Sequence, residues 1–349
     1  MGKSVLLALS GGLDSTVTAI LLKKQGYKVY GIHFALYTDD NKEKQEELNG
    51  ITKKLDIPLY LLDIKNTFNN TVVKYFTTEY LNGRTPCPCS FCNMNIKWDA
   101  LYKYAEKKGI DYIATGHYVK KTSHNSVPRI KQSEDIQKDQ SYFLWGLPPR
   151  IISKSITPLG NFLKSEVRDI ARSNGFTNLA SKPESMGVCF LSGENYRDFL
   201  RSRINSNKKG PVLTADGNYV SEHKGIYNFT IGQKKDISNL QRGYCVTQID
   251  AENNSIIVGP WDNLFYNTIR LKNCLTPSLP KGYHYKMKLM IRGFGKNPQK
   301  ECTILIERDN KTTVYLVDPA WAPMYGQPAA IYKDDVLLGG GYLYDYYNR

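Results

Sequence analysis

The chain has 349 residues, 41% of them hydrophobic and 23% charged, which excludes a disordered chain and predicts a soluble protein of two or three domains. Its formal net charge of +14 favours a polyanionic partner such as nucleic acid, although a basic enzyme with a solvated surface has the same composition. Seven cysteines in so long a chain argue against a small disulfide scaffold and favour the reducing cytoplasm. No apolar run is long enough for a membrane span.

The N-terminal part of the chain alternates between predicted strands and helices. Its strands are short apolar runs, and its helices have apolar residues at helical spacing. The predicted strands are residues 4–9, 28–36 and 58–64, and the predicted helices are residues 14–25 and 40–54. This order is typical of a parallel sheet covered by helices.

The same alternation is predicted to continue to about residue 200. An amphipathic helix at residues 96–109 leads into a strand at residues 111–118, which ends in Gly-His. The polar, basic segment 201–211 closes with Gly-Pro and predicts a domain boundary.

Beyond that boundary the sequence predicts short strands. Residues 283–291 alternate, so that one face carries Tyr283, Tyr285, Met287, Leu289 and Ile291 and the other carries His284, Lys286 and Lys288. The predicted fold is therefore α/β, with a parallel-sheet domain at residues 1–200, a small central domain at residues 201–262 and a C-terminal β-barrel at residues 263–349.

The segment SGGLDS, residues 10–15, connects the first predicted strand to the first helix. Gly11 and Gly12 leave backbone N–H groups accessible, and Ser10 and Ser15 supply hydroxyl groups at a helix N-terminus, which favours anions. The segment predicts a phosphate or pyrophosphate site. It differs from a Walker A motif because no Gly-Lys-Ser/Thr follows.

The segment GRTPCPCSFCNMNIKW, residues 83–98, places Cys87, Cys89 and Cys92 within six residues. Pro86 and Pro88 predict an extended backbone, because each ring fixes its own φ and moves the preceding residue away from helical angles. Three interpretations of the cysteines remain open: ligands of zinc or an iron–sulfur cluster, redox-active nucleophiles, or small buried side chains.

Other cysteines bear on this choice. Cys189, in SKPESMGVCFLSGE, could supply a fourth thiol, and the flanking Arg84 and Lys97 would lower thiol pKa values. Three further cysteines, each isolated in a strand-like context, are predicted to be buried packing residues: Cys245, Cys274 and Cys302.

SGGLDS resembles the pyrophosphate loop of the PP-loop ATP pyrophosphatases, which have an adenine nucleotide alpha hydrolase-like fold. That resemblance implies cleavage of ATP to AMP and pyrophosphate as a carbonyl oxygen is adenylated, with Mg²⁺ as a helper. Asp14 would then orient Mg²⁺ or cap the first helix.

The resemblance extends along nearly the whole chain. Together with SGGLDS, the segments GRTPCPCSFCNMNIKW, ATGHYVK, KDQSYFLWGL, MGVCF, YNFTIGQKK and APMYGQPAAIYKDDVLLGGG are similar, in this order, to the tRNA-specific 2-thiouridylases, the MnmA family. This implies ATP-dependent 2-thiolation of the wobble uridine of Lys, Glu and Gln tRNAs, by adenylation of its C2 carbonyl oxygen and sulfur transfer from a cysteine persulfide. The implied partners are the tRNA anticodon loop and a sulfur-donor protein.

The resemblance also implies roles for individual residues. Cys189 would carry the persulfide, and Cys92 would be the nucleophile that forms a transient disulfide with it. The implied ATP-binding residues are Ala8, Leu9, Ser10, Gly11, Gly12, Leu13, Asp14, Ser15, Phe34 and Gly116. The residues implied to contact the target base or the tRNA are Cys87, Pro88, Cys89, His117, Lys138, Asp139, Gln140, Arg292, Gly293 and Gln327.

The chain departs from the family pattern at three positions. Cys87 replaces an asparagine of the Thr-Pro-Asn-Pro loop, Gly293 replaces a tyrosine, and Lys234 replaces the arginine of Gly-Gln-Arg-Lys. The lysine keeps its charge but loses bidentate geometry.

Three alternative functions stay open from the sequence. One is a thiolase that uses sulfide and a [4Fe-4S] cluster, with ligands among Cys87, Cys89, Cys92 and Cys189. The others are an amide-forming PP-loop ligase, which has no need of Cys92 and Cys189, and a non-catalytic RNA-binding module.

Overall fold

The computed structural model describes residues 2–36, 42–183, 187–204, 208–293 and 295–348. Two compact units make up the chain. The first comprises Met1–Thr71, Cys89–Phe190 and Asp335–Leu338, and the second comprises Val72–Pro88, Leu191–Asp334 and Gly339–Arg349.

The α-helices of the described residues lie mainly in the first unit. In chain order the α-helices are α1 Leu13–Lys24, α2 Lys42–Leu55, α3 Lys65–Phe68, α4 Lys74–Leu81, α5 Pro88–Cys92, α6 Trp98–Lys108, α7 Pro149–Lys154, α8 Lys164–Ser173, α9 Thr177–Ser181 and α10 Tyr196–Arg201. Of these, α4 and α10 belong to the second unit. A π-helical turn, Asn69–Val73, joins α3 to α4, and a second, Asn93–Lys97, joins α5 to α6. No described helix has the length and apolar character needed to cross a membrane.

The strands are distributed over both units. They are β1 Ser4–Ala8, β2 Lys28–Ala35, β3 Leu59–Asp63, β4 Tyr112–Ala114, β5 Lys120–His124, β6 Val127–Lys131, β7 Ser155–Ile156, β8 Gly210–Thr214, β9 Tyr219–His223, β10 Tyr244–Asp250, β11 Ser255–Pro260, β12 Phe265–Leu275, β13 His284–Met290, β14 Cys302–Ile306, β15 Thr312–Trp321, β16 Pro328–Lys333 and β17 Val336–Tyr347.

The first unit is built on a parallel sheet of order β3-β2-β1-β4-β7. Central strand β1 is apolar because helices cover both faces, and Val5, Leu6 and Leu7 are completely buried. Strand order reverses where β1 lies between β2 and β4, and the carboxyl ends of these strands are where an open α/β sheet binds its ligand. The predicted parallel sheet is confirmed, and this edge carries SGGLDS.

The prediction that strands and helices alternate up to about residue 200 is wrong between β4 and α7. An antiparallel hairpin, β5–β6, occurs there and pairs with Val336 and Leu337 of the same unit. Its two-residue turn, Asn125-Ser126, has positive φ at both positions (51° and 62°), which matches the twist of a hairpin. Asn-Ser is a weaker hairpin signal than Asn-Gly, so the sequence did not reveal this turn.

The second unit contains the predicted small central domain and the barrel. The central sheet has the order β10-β11-β8-β9, around a core that includes Val212, Cys245 and Ile256. The barrel order is β12-β15-β14-β13-β16-β17, and pairing of β12 with β17 closes it. Both predicted architectures are confirmed, whereas the exact boundaries at residues 200 and 262 remain predictions.

The alternation in β13 is confirmed with one exception. Met287 and Leu289 are buried, and Lys286 and Lys288 are exposed. Tyr283, predicted to lie on the inner face, is 63% exposed, because it precedes the first residue of the strand and is outside the alternation.

Candidate active site

The SGGLDS loop is held by its own hydroxyl groups. The Ser15 side-chain oxygen donates to the Gly12 carbonyl (3.1 Å) and accepts from the Ser10 backbone N–H (3.2 Å), while the two serine oxygens lie 3.1 Å apart. Gly11 has a φ of 78°, and Gly12 precedes the first residue of α1 in an extended conformation. The loop therefore meets the helix N-terminus in a conformation suited to a phosphate group.

The Asp14 carboxylate has two side-chain partners in the first unit. Its Oδ1 atom accepts from the Lys164 ammonium at 2.6 Å and from the Tyr118 hydroxyl at 2.9 Å. The Lys164 ammonium also lies over the Tyr118 ring, 5.2 Å from its centroid. Among the described residues no backbone N–H group of α1 donates to this carboxylate, so the structure does not support capping by Asp14.

Gly116 follows β4 and packs against the start of α1. A Cβ atom at this position would lie 3.1 Å from both the Asp14 carbonyl carbon and the Ser15 nitrogen. A Cβ atom at Gly11 would lie 3.0 Å from the Lys44 ammonium nitrogen. Both positions are crowded for a side chain, and at Gly11 the positive φ also favours glycine. Phe34 is buried within β2, at 9% exposure.

The extended conformation predicted for the cysteine segment is wrong from Pro88 onward, because α5 begins there. Proline is tolerated at the first position of a helix, since the N–H that it lacks has no partner there. The helix carries Cys89 on an exposed position and Cys92 on a buried one, 4% exposed.

Cys92, Cys89 and Cys189 influence one another electrostatically within the first unit. Desolvation raises the pKa of the Cys92 thiol to about 12, and the charge and backbone N–H of Lys97 oppose that rise. Cys89 is exposed, yet protein atoms packed around it still raise the pKa of its thiol by desolvation, and the charge of Lys97 opposes that rise. Cys189 is exposed at the start of a 3-10 turn, Cys189–Leu191. In the absence of substrate Cys92 is therefore a protonated thiol at neutral pH.

Cys87 belongs to the second unit. Its electrostatic neighbours there are Tyr75 and Tyr342, whose pKa values are raised, first by burial and then by nearby groups that include Cys87. Arg84, predicted to lower thiol pKa values, pairs with Glu79 at 3.3 Å. The seven cysteines all lie in described parts of the chain, and none of them forms a disulfide bond.

The three remaining cysteines have the predicted packing role. Each is buried in a strand of the second unit: Cys245 in β10, Cys274 in β12 and Cys302 in β14.

His117 is placed just after Gly116. Its Nδ1 atom lies 2.9 Å from the Thr115 hydroxyl, and its ring packs on Trp98 with the centroids 5.6 Å apart. Desolvation, reinforced by the positive charge of Lys97, lowers the pKa of His117 to about 3. The histidine is thus a neutral hydrogen-bonding group near Lys97 at any physiological pH.

The side chains of Asp139 and Gln140, in the run Lys138-Asp139-Gln140, form hydrogen bonds with neighbouring segments of the protein. The Asp139 carboxylate accepts from the Ser133 N–H (2.9 Å) and the Ser141 hydroxyl (2.5 Å), and desolvation raises its pKa. Gln140 accepts from the Tyr118 N–H at 2.9 Å, which connects this loop to the residue that holds Asp14.

The residues predicted to contact tRNA in the second unit are also tied to their surroundings. Arg292 donates to the carbonyls of Trp321, at 2.9 Å, and Ala322, and its guanidinium lies over the Trp321 ring. Gln327 donates to the Thr85 carbonyl at 2.9 Å. Gly293 lies in the loop after β13. The predicted contacts of these residues with tRNA remain predictions.

In the described parts of the chain, no group of three or more His, Cys, Asp or Glu side chains is arranged to hold a metal ion. The cysteine arrangement therefore does not fit a cluster site, and the iron–sulfur interpretation is not favoured.

Sequence reasoning missed Lys164, Tyr118 and Lys44. Lys164 is the first residue of α8, and its ammonium group donates to Asp14, which lies 150 residues earlier in the chain. No local pattern links these residues to the loop, which they reach through the packing of α1 against α2, α8 and the segment after β4.

Three family models match successive parts of the chain. They describe a tRNA methyl transferase HUP domain over residues 3–193, a tRNA methyl transferase PRC-barrel domain over residues 197–260 and an aminomethyltransferase β-barrel domain over residues 272–343.

Curated relatives match almost the full length. The tRNA-specific 2-thiouridylase MnmA 2 of Phocaeicola vulgatus is 38% identical over 97% of both chains. The tRNA-specific 2-thiouridylases MnmA of Natranaerobius thermophilus and Amoebophilus asiaticus are 36% and 34% identical, over 98% and 97% of this chain and 97% and 94% of theirs. A solved 4-thiouridine synthetase–RNA complex with bound ATP is 17% identical, with a TM-score of 0.40 over 58% of this chain and 50% of that one, too distant to bear on function. Because these relatives are at least 34% identical over nearly the full length of both chains, the chain belongs to the tRNA-specific 2-thiouridylase family, MnmA.

Proposed function

We propose that the chain is an ATP-dependent tRNA 2-thiouridine synthase, which adenylates the C2 carbonyl oxygen of the wobble uridine of Lys, Glu and Gln tRNAs and replaces it with sulfur. The observation that carries the proposal is that one unit holds both a phosphate-type SGGLDS loop and a mutually interacting set of thiols, Cys89, Cys92 and Cys189. Adenylation needs the loop, and sulfur transfer needs the thiols.

The first half-reaction uses ATP as a substrate. The uridine O2 atom attacks the α-phosphorus, the bond to the β-phosphate breaks, and pyrophosphate leaves while AMP stays on O2. Residues Ala8–Ser15 would hold the phosphates, with Phe34 and Gly116 beside the nucleoside. Lys164 holds Asp14 in place at the loop. Mg²⁺, when bound, would neutralise phosphate charge, and Asp14 is the carboxylate available to it.

The second half-reaction transfers one sulfur atom. The terminal sulfur of a Cys189 persulfide attacks C2, and the Cys92 thiolate then attacks the Cys189 sulfur, so that the S–S bond breaks and a Cys92–Cys189 disulfide forms. The electron pair left on the C2-bound sulfur closes the C=S bond, and AMP leaves with the former carbonyl oxygen. A thiol reductant then returns two electrons to the disulfide, and a sulfur-donor protein restores the persulfide.

The tRNA would present an unstacked anticodon-loop base, which proteins recognise by shape and by contacts to splayed bases. Cys87, Pro88, Cys89 and His117 would line the base site, and Lys138, Asp139, Gln140, Arg292, Gly293 and Gln327 would contact the tRNA. We also propose a cytoplasmic location and a division into an ATP-binding domain (1–200), a central domain (201–262) and a barrel (263–349).

The test is a reaction of the enzyme with ATP, a persulfide source and unmodified tRNA, followed by nucleoside analysis and pyrophosphate measurement. We expect 2-thiouridine from the wild type and from a Cys245→Ala control. Cys189→Ser should still release pyrophosphate in the presence of tRNA but should form no 2-thiouridine.

Each rival function predicts a different result. An amide-forming ligase would keep its activity in Cys189→Ser. Thiolation that requires iron reconstitution and inorganic sulfide, and survives without persulfide, would replace the persulfide route. Absence of 2-thiouridine under aerobic and anaerobic conditions would overturn the proposal.

A further inference from the structure

Lys97 is a half-buried cation beside the cysteines. Within the described parts of the chain its ammonium group forms neither an ion pair with a carboxylate nor a hydrogen bond. Lys103, on the same helical segment, is instead exposed and pairs with Asp99 at 2.7 Å. Partial desolvation of an ammonium group without a counter-ion costs free energy. We therefore expect an anion to approach Lys97 during the reaction.

The backbone determines what Lys97 faces. Cys92 ends α5, and the π-helical turn Asn93–Lys97 follows at once. In a π-helical turn, hydrogen bonds join residue i to residue i+5, so Lys97 returns to the position of Cys92, whereas in an α-helix the residue at i+4 would do so. Both the charge and the backbone N–H of Lys97 act on the Cys92 thiol, where they oppose the rise in pKa that desolvation causes.

The groups around Lys97 come from three parts of the first unit. They are Cys89 and Cys92 on α5, Cys189 on its 3-10 turn and His117 after β4. His117 is neutral, so among the described groups around Lys97 the sulfur atoms are the ones that can become anionic. Desolvation alone would lower the pKa of Lys97, but the negative charge that the three cysteines can carry outweighs it and the pKa is raised.

We propose that Lys97 is the counter-ion of the sulfur anion formed at Cys92 and Cys189 during sulfur transfer, a role that rests on the proposed function. In the resting enzyme no carboxylate among the described residues pairs with its charge. When a thiolate or persulfide anion forms, the ammonium stabilises that charge, and the π-helical turn keeps the two groups together. Lys97 is thus a charge-stabilising residue for the sulfur half-reaction and takes no part in adenylation.

The first experiment compares an anionic and a neutral alkylating reagent on the nucleotide-free, full-length enzyme. Iodoacetate and iodoacetamide react with the same thiolate, so the ratio of their rates cancels the degree of ionisation and reports local charge. Mass spectrometry resolves the rates at Cys189 and Cys92. We expect Lys97→Met to lower the iodoacetate-to-iodoacetamide ratio about fivefold, the effect of one unit charge at about 4 Å in a water-like medium.

Two matched variants control for general effects. Lys97→Arg should keep the ratio near the wild-type value, and so should Lys103→Met, which removes a paired charge from the same helical segment. If Lys97→Met does not fold, Lys97→Gln provides the same charge removal with a polar side chain. An unchanged ratio in the folded neutral variant overturns the proposal.

The second experiment tests whether the anion that Lys97 stabilises is a sulfur atom or a phosphate group of ATP. In single turnover with persulfide-loaded enzyme, the neutral variant should transfer sulfur at least tenfold more slowly, with unchanged KM for ATP and unchanged pyrophosphate release. A raised KM for ATP together with an unchanged alkylation ratio would assign Lys97 to phosphate instead. The alkylation ratio is measured without ATP or tRNA. It therefore tests the role of Lys97 even if the enzyme proves not to thiolate tRNA.

Discussion

At the scale of single residues, Asp14 depends on a partner that lies 150 positions later in the chain. The Lys164 side chain is 13% exposed and that of Asp14 is 37% exposed, so water screens their interaction only in part. The Tyr118 hydroxyl shares the same carboxylate oxygen. The position of Asp14 at the loop is therefore set by two side chains outside SGGLDS.

Replacement of Lys164 by methionine should raise the KM for ATP roughly tenfold, because a charge-assisted hydrogen bond contributes about 1.5–3 kcal/mol and the partial exposure of Asp14 reduces this. Tyr118→Phe, which removes a neutral hydroxyl, should have a smaller effect. Steady-state pyrophosphate release gives the measurement. Arg172→Met on the same helix breaks an exposed pair with Asp169 and should leave the KM unchanged; equal effects in both variants would refute a specific role.

The ring of His117 should remain neutral from pH 8 down to pH 5, because its pKa is about 3 in the folded protein against 6.5 for a free side chain. The unfolded chain therefore binds a proton between these values that the folded chain does not. This residue destabilises the fold as the pH falls below about 6.5 and has no such effect above it. NMR of the ring protons, assigned with His117→Asn, provides the check, and a signal that titrates near pH 6.5 would contradict it.

At the scale of elements, two short segments shape the site. Helix α5 starts at a proline, and the π-helical turn after it joins Cys92 to Lys97, whose charge acts on the Cys92 thiol. The residues after β4 place Gly116 against the first turn of α1. Sequence periodicity identified α6 and its end at Gly109, where φ is 64°, but it could not reveal the π-helical turn, because that turn differs from an α-helix by one hydrogen-bond step.

Gly116→Ala should weaken ATP binding and lower the free energy of unfolding by about 1–3 kcal/mol, because the new methyl group would press on the backbone of Asp14 and Ser15. Gly50→Ala in α2 is the control. It meets no atom within 4 Å and should raise the free energy of unfolding by about 0.5–1 kcal/mol. Urea unfolding and ATP titration measure both; normal ATP affinity in Gly116→Ala would show that the contact is not required.

At the scale of the whole molecule, the net charge of +14 is unevenly compensated. In the barrel, Lys300 pairs with Asp318 and Lys311 pairs with Asp309, whereas Lys286 and Lys288 on β13 are exposed and have no carboxylate partner among the described residues. Such uncompensated lysines are available to a phosphate backbone.

The affinity for tRNA should fall steeply with salt, and Lys286→Ala/Lys288→Ala should reduce the slope of log K against log salt by about 1.4–1.8, since each phosphate contact contributes about 0.7–0.9. Filter binding measures the affinity for tRNA between about 50 and 200 mM salt, a range over which phosphate contacts change the affinity strongly. Lys300→Ala/Lys311→Ala changes the net charge equally and should change the slope less. Identical slopes in the two double variants would show that β13 faces solvent only.

The sequence by itself determined the parallel sheet, the barrel, the phosphate loop and the types of chemical group at the site, because periodicity and short motifs are local properties of the chain. The β5–β6 hairpin and α5 escaped prediction because Asn-Ser and Pro are ambiguous local signals. Only the tertiary structure decided that Lys164 holds Asp14, that Lys97 lies near Cys89, Cys92 and Cys189, and that Cys92 is protonated at rest. Those properties depend on desolvation and on charges from distant parts of the chain, which meet only when the chain is folded.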